Sequence, residues 1–129
     1  MNTIFSVGHS SVAFSEFLKK LQENNINILV DIRSRPQSRY CPQYNRKKMD
    51  EELGKADITY VFKGDRLGGL GVNIDYEGAI DELVEMVKSG KQVCVCCSEK
   101  DYRKCHRYQM LTPSFEERGL KVNHICYDK

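Results

Sequence analysis

Between Cys97 and Arg107 the chain gathers a thiol, a carboxylate (Glu99), a second thiol (Cys105), an imidazole (His106) and a guanidinium. Val93 to Cys97 reads as a buried strand, and Cys105-His106-Arg107 as the opening of a helix. These groups therefore fall at the carboxyl end of a strand, where open α/β sheets place their ligand crevices. Several chemistries compete for Cys97. With Arg103 it has the Cys-x5-Arg spacing of a phosphate-binding loop with a thiolate nucleophile. Such a loop binds through backbone amides, however, and Glu99 and Asp101 would set two negative charges inside it. As a thiolate activated by His106 or by a helix N-terminus, Cys97 would serve covalent catalysis. As metal ligands, Cys96 or Cys97 would join Cys105 and His106, with His124 or Cys126 as further donors. The paired CxxC of structural zinc sites is missing, and Cys96 and Cys97 point to opposite faces of a strand. The last reading leaves these thiols as packing groups and gives ligand contact to Glu99 and Arg107.

Two earlier segments supply matching chemistry. Gly8-His9-Ser10 lies at a strand-to-helix turn, where His9 is a candidate acid/base or anion contact and helix amides favour a negative group. The competing view is a turn in which His9 bonds a nearby backbone group and Ser10 or Ser11 caps the helix. Asp31-Ile32-Arg33-Ser34-Arg35-Pro36 places a carboxylate within an apolar strand, which is costly unless paired. Alternation sets Arg33 on the same face, making it the expected partner. Arg33, Arg35 and Arg39, with Ser38, suggest fork-like recognition of phosphate or carboxylate. Tyr40 and Tyr44, interleaved with these charges, are placed to stack a base. A solvated basic loop is the plainer alternative. Gly68 and Gly69, with Gly71, fit neither GxxxxGK[ST] nor a dinucleotide fingerprint, and read as a close-approach or mobile loop beside the ligand.

The elements that must position these groups follow from hydrophobic periodicity. Thr3 to Val7 reads as a strand. Phe14, Phe17, Leu18 and Leu21 recur at i, i+3, i+4, i+7 and predict an amphipathic helix ending near Asn24-Asn25. Ile26 to Ile32 is continuous enough in apolar residues to be a strand buried on both faces. Asn45 is a candidate cap for a short helix carrying Met49 and Leu53, with Gly54 near its end. Ile58 to Phe62 is a third strand, followed by a loop containing Gly64, Gly68, Gly69 and Gly71. Asp75 caps a helix with the stripe Ile80, Leu83, Val84, Val87, stopped by Ser89-Gly90. After the strand Val93 to Cys97, Cys105 to about Arg118 is helical in pattern, with Pro113 either kinking it or starting a second helix. Lys121 to Tyr127 closes the chain as a fifth strand. The βαβαβαβαβ order predicts an α/β fold, a single three-layer domain over residues 1–129 with a mostly parallel five-stranded sheet and helices on both faces. Strand order does not follow from this pattern.

Composition narrows the class. The chain has 129 residues, 40% hydrophobic and 29% charged, which is globular rather than disordered. MNTIFSVGHS carries no basic region followed by a long apolar run, so no export signal is expected, and no apolar stretch approaches the roughly 20 residues that span a bilayer. A cytoplasmic protein without membrane contact is the expectation. Six cysteines without an export signal read as thiols rather than a disulfide scaffold. The formal net charge of +2 hides an asymmetry: Arg33 to Lys48 holds six basic residues and no acid, leaving 14 basic against 18 acidic residues elsewhere. A cationic segment on an otherwise acidic chain localises attraction for an anion.

Val7-Gly8-His9-Ser10, Val30-Asp31-Ile32-Arg33-Ser34-Arg35-Pro36-Gln37-Ser38, Leu67-Gly68-Gly69, Cys97-Ser98-Glu99, Cys105-His106-Arg107 and Val122-Asn123-His124-Ile125 together resemble one family, the uncharacterised domain of unknown function family 488. The motifs run in order along nearly the whole chain. The resemblance implies a small intracellular α/β domain with the GHS turn, the D-x-R-x-x-P-x-S segment, the LGG loop, the C-x-E step and the CHR helix start as signature positions. It implies no reaction. Cys94, Cys96 and Arg103 stand outside that pattern.

These features combine into one expectation: an enzyme that binds a phosphorylated or nucleotide-like anion at the strand ends. Arg33, Arg35 and Arg39 hold the anion, with Ser10, Ser38, Gly68, Gly69, Cys105 and Arg107 around it. Cys97, Glu99, His106 and His9 form the reactive centre, and Asp31 orients Arg33. Two alternatives remain, a non-catalytic nucleic-acid-binding module using the loop 33–48 and a zinc protein using Cys and His. The sequence leaves the cofactor open.

Overall fold

In the computed structural model, which describes residues 2–37, 39–68, 73–99, 103 and 105–127 (backbone only at 106–108), five strands form one all-parallel sheet. The strands are β1 (Thr3–Gly8), β2 (Ile28–Asp31), β3 (Thr59–Phe62), β4 (Val93–Cys97) and β5 (Lys121–His124), in the spatial order β3-β2-β4-β1-β5. The helices are α1 (Phe14–Glu23), α2 (Arg46–Lys55), α3 (Gly64–Leu67), α4 (Tyr76–Lys88) and α5 (His106–Glu117), with a 3-10 turn at Pro42–Tyr44.

Burial explains which strands are central. Every residue of β4 is buried, as its unbroken VCVCC run requires when helices cover both faces. Val93, Val95 and Cys97 face a core built with Ile80, Leu83, Leu111 and Phe115 of α4 and α5. Cys94 and Cys96 face the opposite core, built with Phe17 and Leu21 of α1 and Met49 and Leu53 of α2. The edge strands β3 and β5 are only partly buried, and β5 alternates exposed Lys121 and Asn123 with Val122 and His124. The three layers expected from the alternating pattern are therefore present.

Local signals mostly govern the helix ends. Asp75, itself at φ 49°, accepts the Gly78 N–H at 3.1 Å and caps α4, which stops at Ser89 before Gly90 at φ 102°. Asn45 stands at the start of α2 in extended backbone, and its carbonyl rather than its side chain makes the first helical bond, to Met49 N–H at 2.9 Å.

Gly54 is the penultimate residue of α2, near its end as the sequence predicts, and the reversal after the helix falls to Asp57 at φ 62°. Of the two readings of Pro113, a second helix is not formed: the proline sits within the 12 residues of α5. The neighbouring Leu111 and Phe115 are buried on the core, and that packing holds the turn together despite the lost hydrogen bond. The segment after β3 is not all loop, because Gly64 opens the short helix α3. A Cβ at Gly64 would lie 1.8 Å from the Arg33 carbonyl oxygen, so only glycine permits this approach.

Candidate anion-binding cleft

Strand order creates the crevice. β2 leads outward to its neighbour β3, whereas β4 leads the other way, past β1 to the edge strand β5. Adjacent strands whose connections diverge leave a gap at their carboxyl ends, where α/β sheets bind ligands. A cleft of about 250 Å³ lies there, lined by His9, Ser10, Arg33, Arg35, Gln37, Cys41 and Ser98. It draws on the segments after β1, β2 and β4, and among the described residues none that lines it is acidic.

The turn after β1 is pinned to the segment after β4. His9 N–H donates to the Cys97 carbonyl at 3.0 Å and Ser10 N–H to the Ser98 carbonyl at 2.9 Å. Ser10 adopts φ 48°, a left-handed conformation that a non-glycine residue keeps only when its surroundings hold it. Ile32 N–H likewise donates to the Cys96 carbonyl at 3.0 Å, which fixes the start of the arginine segment.

Arg33 is the best-held cation. It is 6% exposed, and its Nε and Nη2 donate to the two Asp31 oxygens at 2.8 and 2.7 Å. Nη2 also meets the Tyr44 carbonyl at 2.7 Å and Met49 Sδ at 3.3 Å, while the Tyr60 hydroxyl donates to Asp31 Oδ2. Burial works against the charge of Arg33, but the Asp31 hydrogen bonds and negative charge outweigh it and raise its pKa. This is the pair that strand alternation predicts. A bidentate Arg–carboxylate contact fixes the plane of the guanidinium as well as its charge.

His9 completes the network. Its Nδ1 meets the Ser10 carbonyl at 2.7 Å and its Nε2 meets Arg33 Nη1 at 3.1 Å. A carbonyl can only accept and a guanidinium can only donate, so the network assigns the neutral tautomer with its proton on Nδ1. The ring stacks on Tyr44 with centroids 4.2 Å apart and planes 16° from parallel. Burial, reinforced by Arg33 and only partly opposed by the Ser10 carbonyl and Asp31, pushes the pKa of His9 down to about 4. At neutral pH His9 is an uncharged wall that orients Arg33, with both ring nitrogens engaged.

The remaining predicted positions scatter. Arg35 lines the cleft, is exposed, and meets no carboxylate among the described residues. Arg39 is exposed and outside the cleft lining. Ser38 and Gly69 lie outside the described residues, as do the side chains of His106 and Arg107 at the start of α5. Gly68 is buried against the Ser34 side chain, where a Cβ would lie 2.1 Å from Oγ, so close packing accounts for this glycine. Glu99 is exposed. Cys97 is fully buried on the α4/α5 side, and its Sγ lies 3.3 Å from that of Cys105. It does not line the cleft, whereas Cys41 does, with its Sγ donating to the Ser10 carbonyl at 3.5 Å. Sequence reasoning passed over Cys41, Gln37 and Ser98; their position in the loops after β2 and β4 was the one signal that marked them.

Among the described residues no three or more His, Cys, Asp or Glu side chains come together as a metal site. No helix among them is long and apolar enough to cross a membrane.

Fold and cleft define a parallel α/β domain with an arginine-bearing crevice at its topological switch point. Residues 13–73 match a family model described as Domain of unknown function DUF488, and the chain resembles that family. The matched segment contains the arginine segment and ends before β4, a shorter span than the sequence motifs cover. No curated protein matches the chain. A solved structure, the solution NMR structure of a de novo designed protein with a P-loop NTPase fold, is 14% identical. Its TM-score is 0.47, with 98% of this chain and 84% of that one covered.

Proposed function

We propose that this domain binds the phosphoryl group of a small nucleotide-like anion in the cleft, with Arg35 as the cation that meets it. The observation that carries this reading is charge. Asp31 neutralises Arg33 from beneath, His9 is uncharged, and no acid lines the cleft among the described residues, so Arg35 leaves their sum at one net positive charge. Arg33 has its plane set by Asp31 and supplies a preorganised edge, while Gln37, Ser10 and Ser98 add polar groups around it. A volume of about 250 Å³ is below the roughly 300–1,000 Å³ of sites that enclose drug-sized ligands. It suits a phosphate with part of its sugar, leaving a base outside, near Tyr40.

The thiol of this reading is Cys41, which shares the cleft with both arginines. Cys97, expected with Glu99 and His106 as the reactive centre, is turned toward α4 and α5 and is given no part in ligand contact.

Titration with inorganic phosphate and a nucleoside monophosphate, followed by amide chemical shifts, tests the proposal. Shifts are expected at Ser10, Arg35, Gln37 and Ser98. Charge-assisted hydrogen bonds are worth about 1.5–3 kcal/mol, so Arg35→Gln should weaken binding about 10- to 100-fold while leaving stability nearly unchanged. Equal binding by this variant overturns the assignment.

A second reading rests on Tyr40, which is 90% exposed beside Arg39, with Arg46, Lys47 and Lys48 also exposed. Such a surface offers stacking and charge to single-stranded nucleic acid. Affinity that falls steeply with salt and does not depend on Arg33 favours it.

A further inference from the structure

Two buried thiols play no part in the cleft. Cys97 closes β4 and Cys105 occupies the cap position of α5, eight residues later, and their sulfurs are 3.3 Å apart. Cys97 is 0% and Cys105 3% exposed. Cys94 and Cys96 project to the opposite face of the sheet, so strand alternation leaves Cys105 as the thiol that Cys97 meets. Burial pushes the Cys94 thiol well up and makes it inert packing. Cys105 differs from these strand thiols, because the N-terminus of a 12-residue helix favours an anion at its cap.

We propose that Cys97 and Cys105 form a redox-active dithiol that closes to a disulfide on oxidation by a peroxide. Cys105, the more accessible thiol, attacks one peroxide oxygen; the O–O bond breaks, and a sulfenic acid and one water result. Cys97 then attacks that sulfur, displacing the sulfenic oxygen as a second water. The two thiols lose two electrons, and hydrogen peroxide is reduced to two waters. The sulfurs must close from 3.3 Å to about 2.05 Å. Cys97 and Ser98 would move with them, and their carbonyls anchor the His9 and Ser10 amides. Cys41 Sγ bonds the Ser10 carbonyl, so oxidation reaches the cleft through this chain of contacts.

Mass spectrometry of the full chain decides the matter. Reduced protein treated with a few equivalents of hydrogen peroxide should lose about 2 Da and drop from six alkylatable thiols to four. Digestion without reductant should yield a peptide linking Cys97 to Cys105. Cys105→Ser, which keeps a polar cap, should abolish both the linkage and the paired loss. Persistence of all six thiols, linkage of another pair, or an unchanged paired loss in the variant overturns the proposal. The connection to the cleft is read separately, from alkylation of Cys41. Its rate should change about fivefold or more between reduced and oxidised protein; an equal rate refutes the coupling, whatever the cleft binds.

Discussion

His9 offers the sharpest quantitative test, because protonation would place a second cation 3.1 Å from Arg33 Nη1 inside the protein. The unfolded chain takes up this proton near pH 6.5 and the folded protein only near 4. The folded pKa is thus the lower one, and the associated stability is fully present above about pH 6.5. It drains away as the pH falls toward 4, where the unfolded state holds more protons. At about 1.4 kcal/mol per pH unit, the whole gap is worth about 3 kcal/mol, of which roughly 2–3 kcal/mol is already lost at pH 4.5. Urea denaturation of wild type and His9→Gln at pH 7 and 4.5 isolates this contribution, since the carboxylates titrate in both proteins. Wild type should lose about 2–3 kcal/mol more than the variant over that interval. Direct titration of the ring by nitrogen-detected NMR should show the neutral tautomer protonated on Nδ1 down to nearly pH 4. Parallel stability profiles, or a ring that titrates between pH 6 and 7, would refute the burial and Arg33 contact on which the reasoning depends.

Two further outcomes follow from the same network. Asp31→Asn keeps the shape but strands Arg33 as a buried, uncompensated cation; urea denaturation should show a loss of about 3–5 kcal/mol. The double variant Asp31→Asn, Arg33→Met should recover part of it, and strict additivity would mean the pair is not coupled. Gly64→Ala drives a methyl group into the Arg33 backbone carbonyl. A loss of more than about 3 kcal/mol is expected, accompanied by amide shift changes around Arg33; a folded variant of near wild-type stability would contradict the close approach.

Several features of this protein were legible in its sequence because their causes are local. The 3.6-residue period of Phe14, Phe17, Leu18 and Leu21 suffices for α1, and the unbroken VCVCC run suffices for a central strand, since each reports the environment of its own element. The Asp31–Arg33 pair was legible for the same reason: a carboxylate within an apolar strand needs a counter-charge, and alternation places residue 33 beside it. Asp75 as a cap also depends on neighbours within one turn. Where local signals left alternatives open, tertiary packing decided, as at Pro113, whose lost hydrogen bond is offset by Leu111 and Phe115 against the core.

Tertiary structure alone decided which chemistry meets which. The order β3-β2-β4-β1-β5 depends on pairings between residues as far apart as Thr3 and Lys121, and it places the crevice between β2 and β4. That order brings Cys41 and Ser98 into the cleft beside His9 and Arg33. The side on which Cys97 falls depends on strand register, where a shift of one residue exchanges the two faces. Packing set that register by seating Val93 and Val95 against α4 and α5, which carried Cys97 to Cys105 and away from the arginines. Sequence determines the elements and the charges they carry because those are short-range properties. Only the folded chain determines their company, because burial and electrostatic partnership arise between residues that the sequence keeps apart.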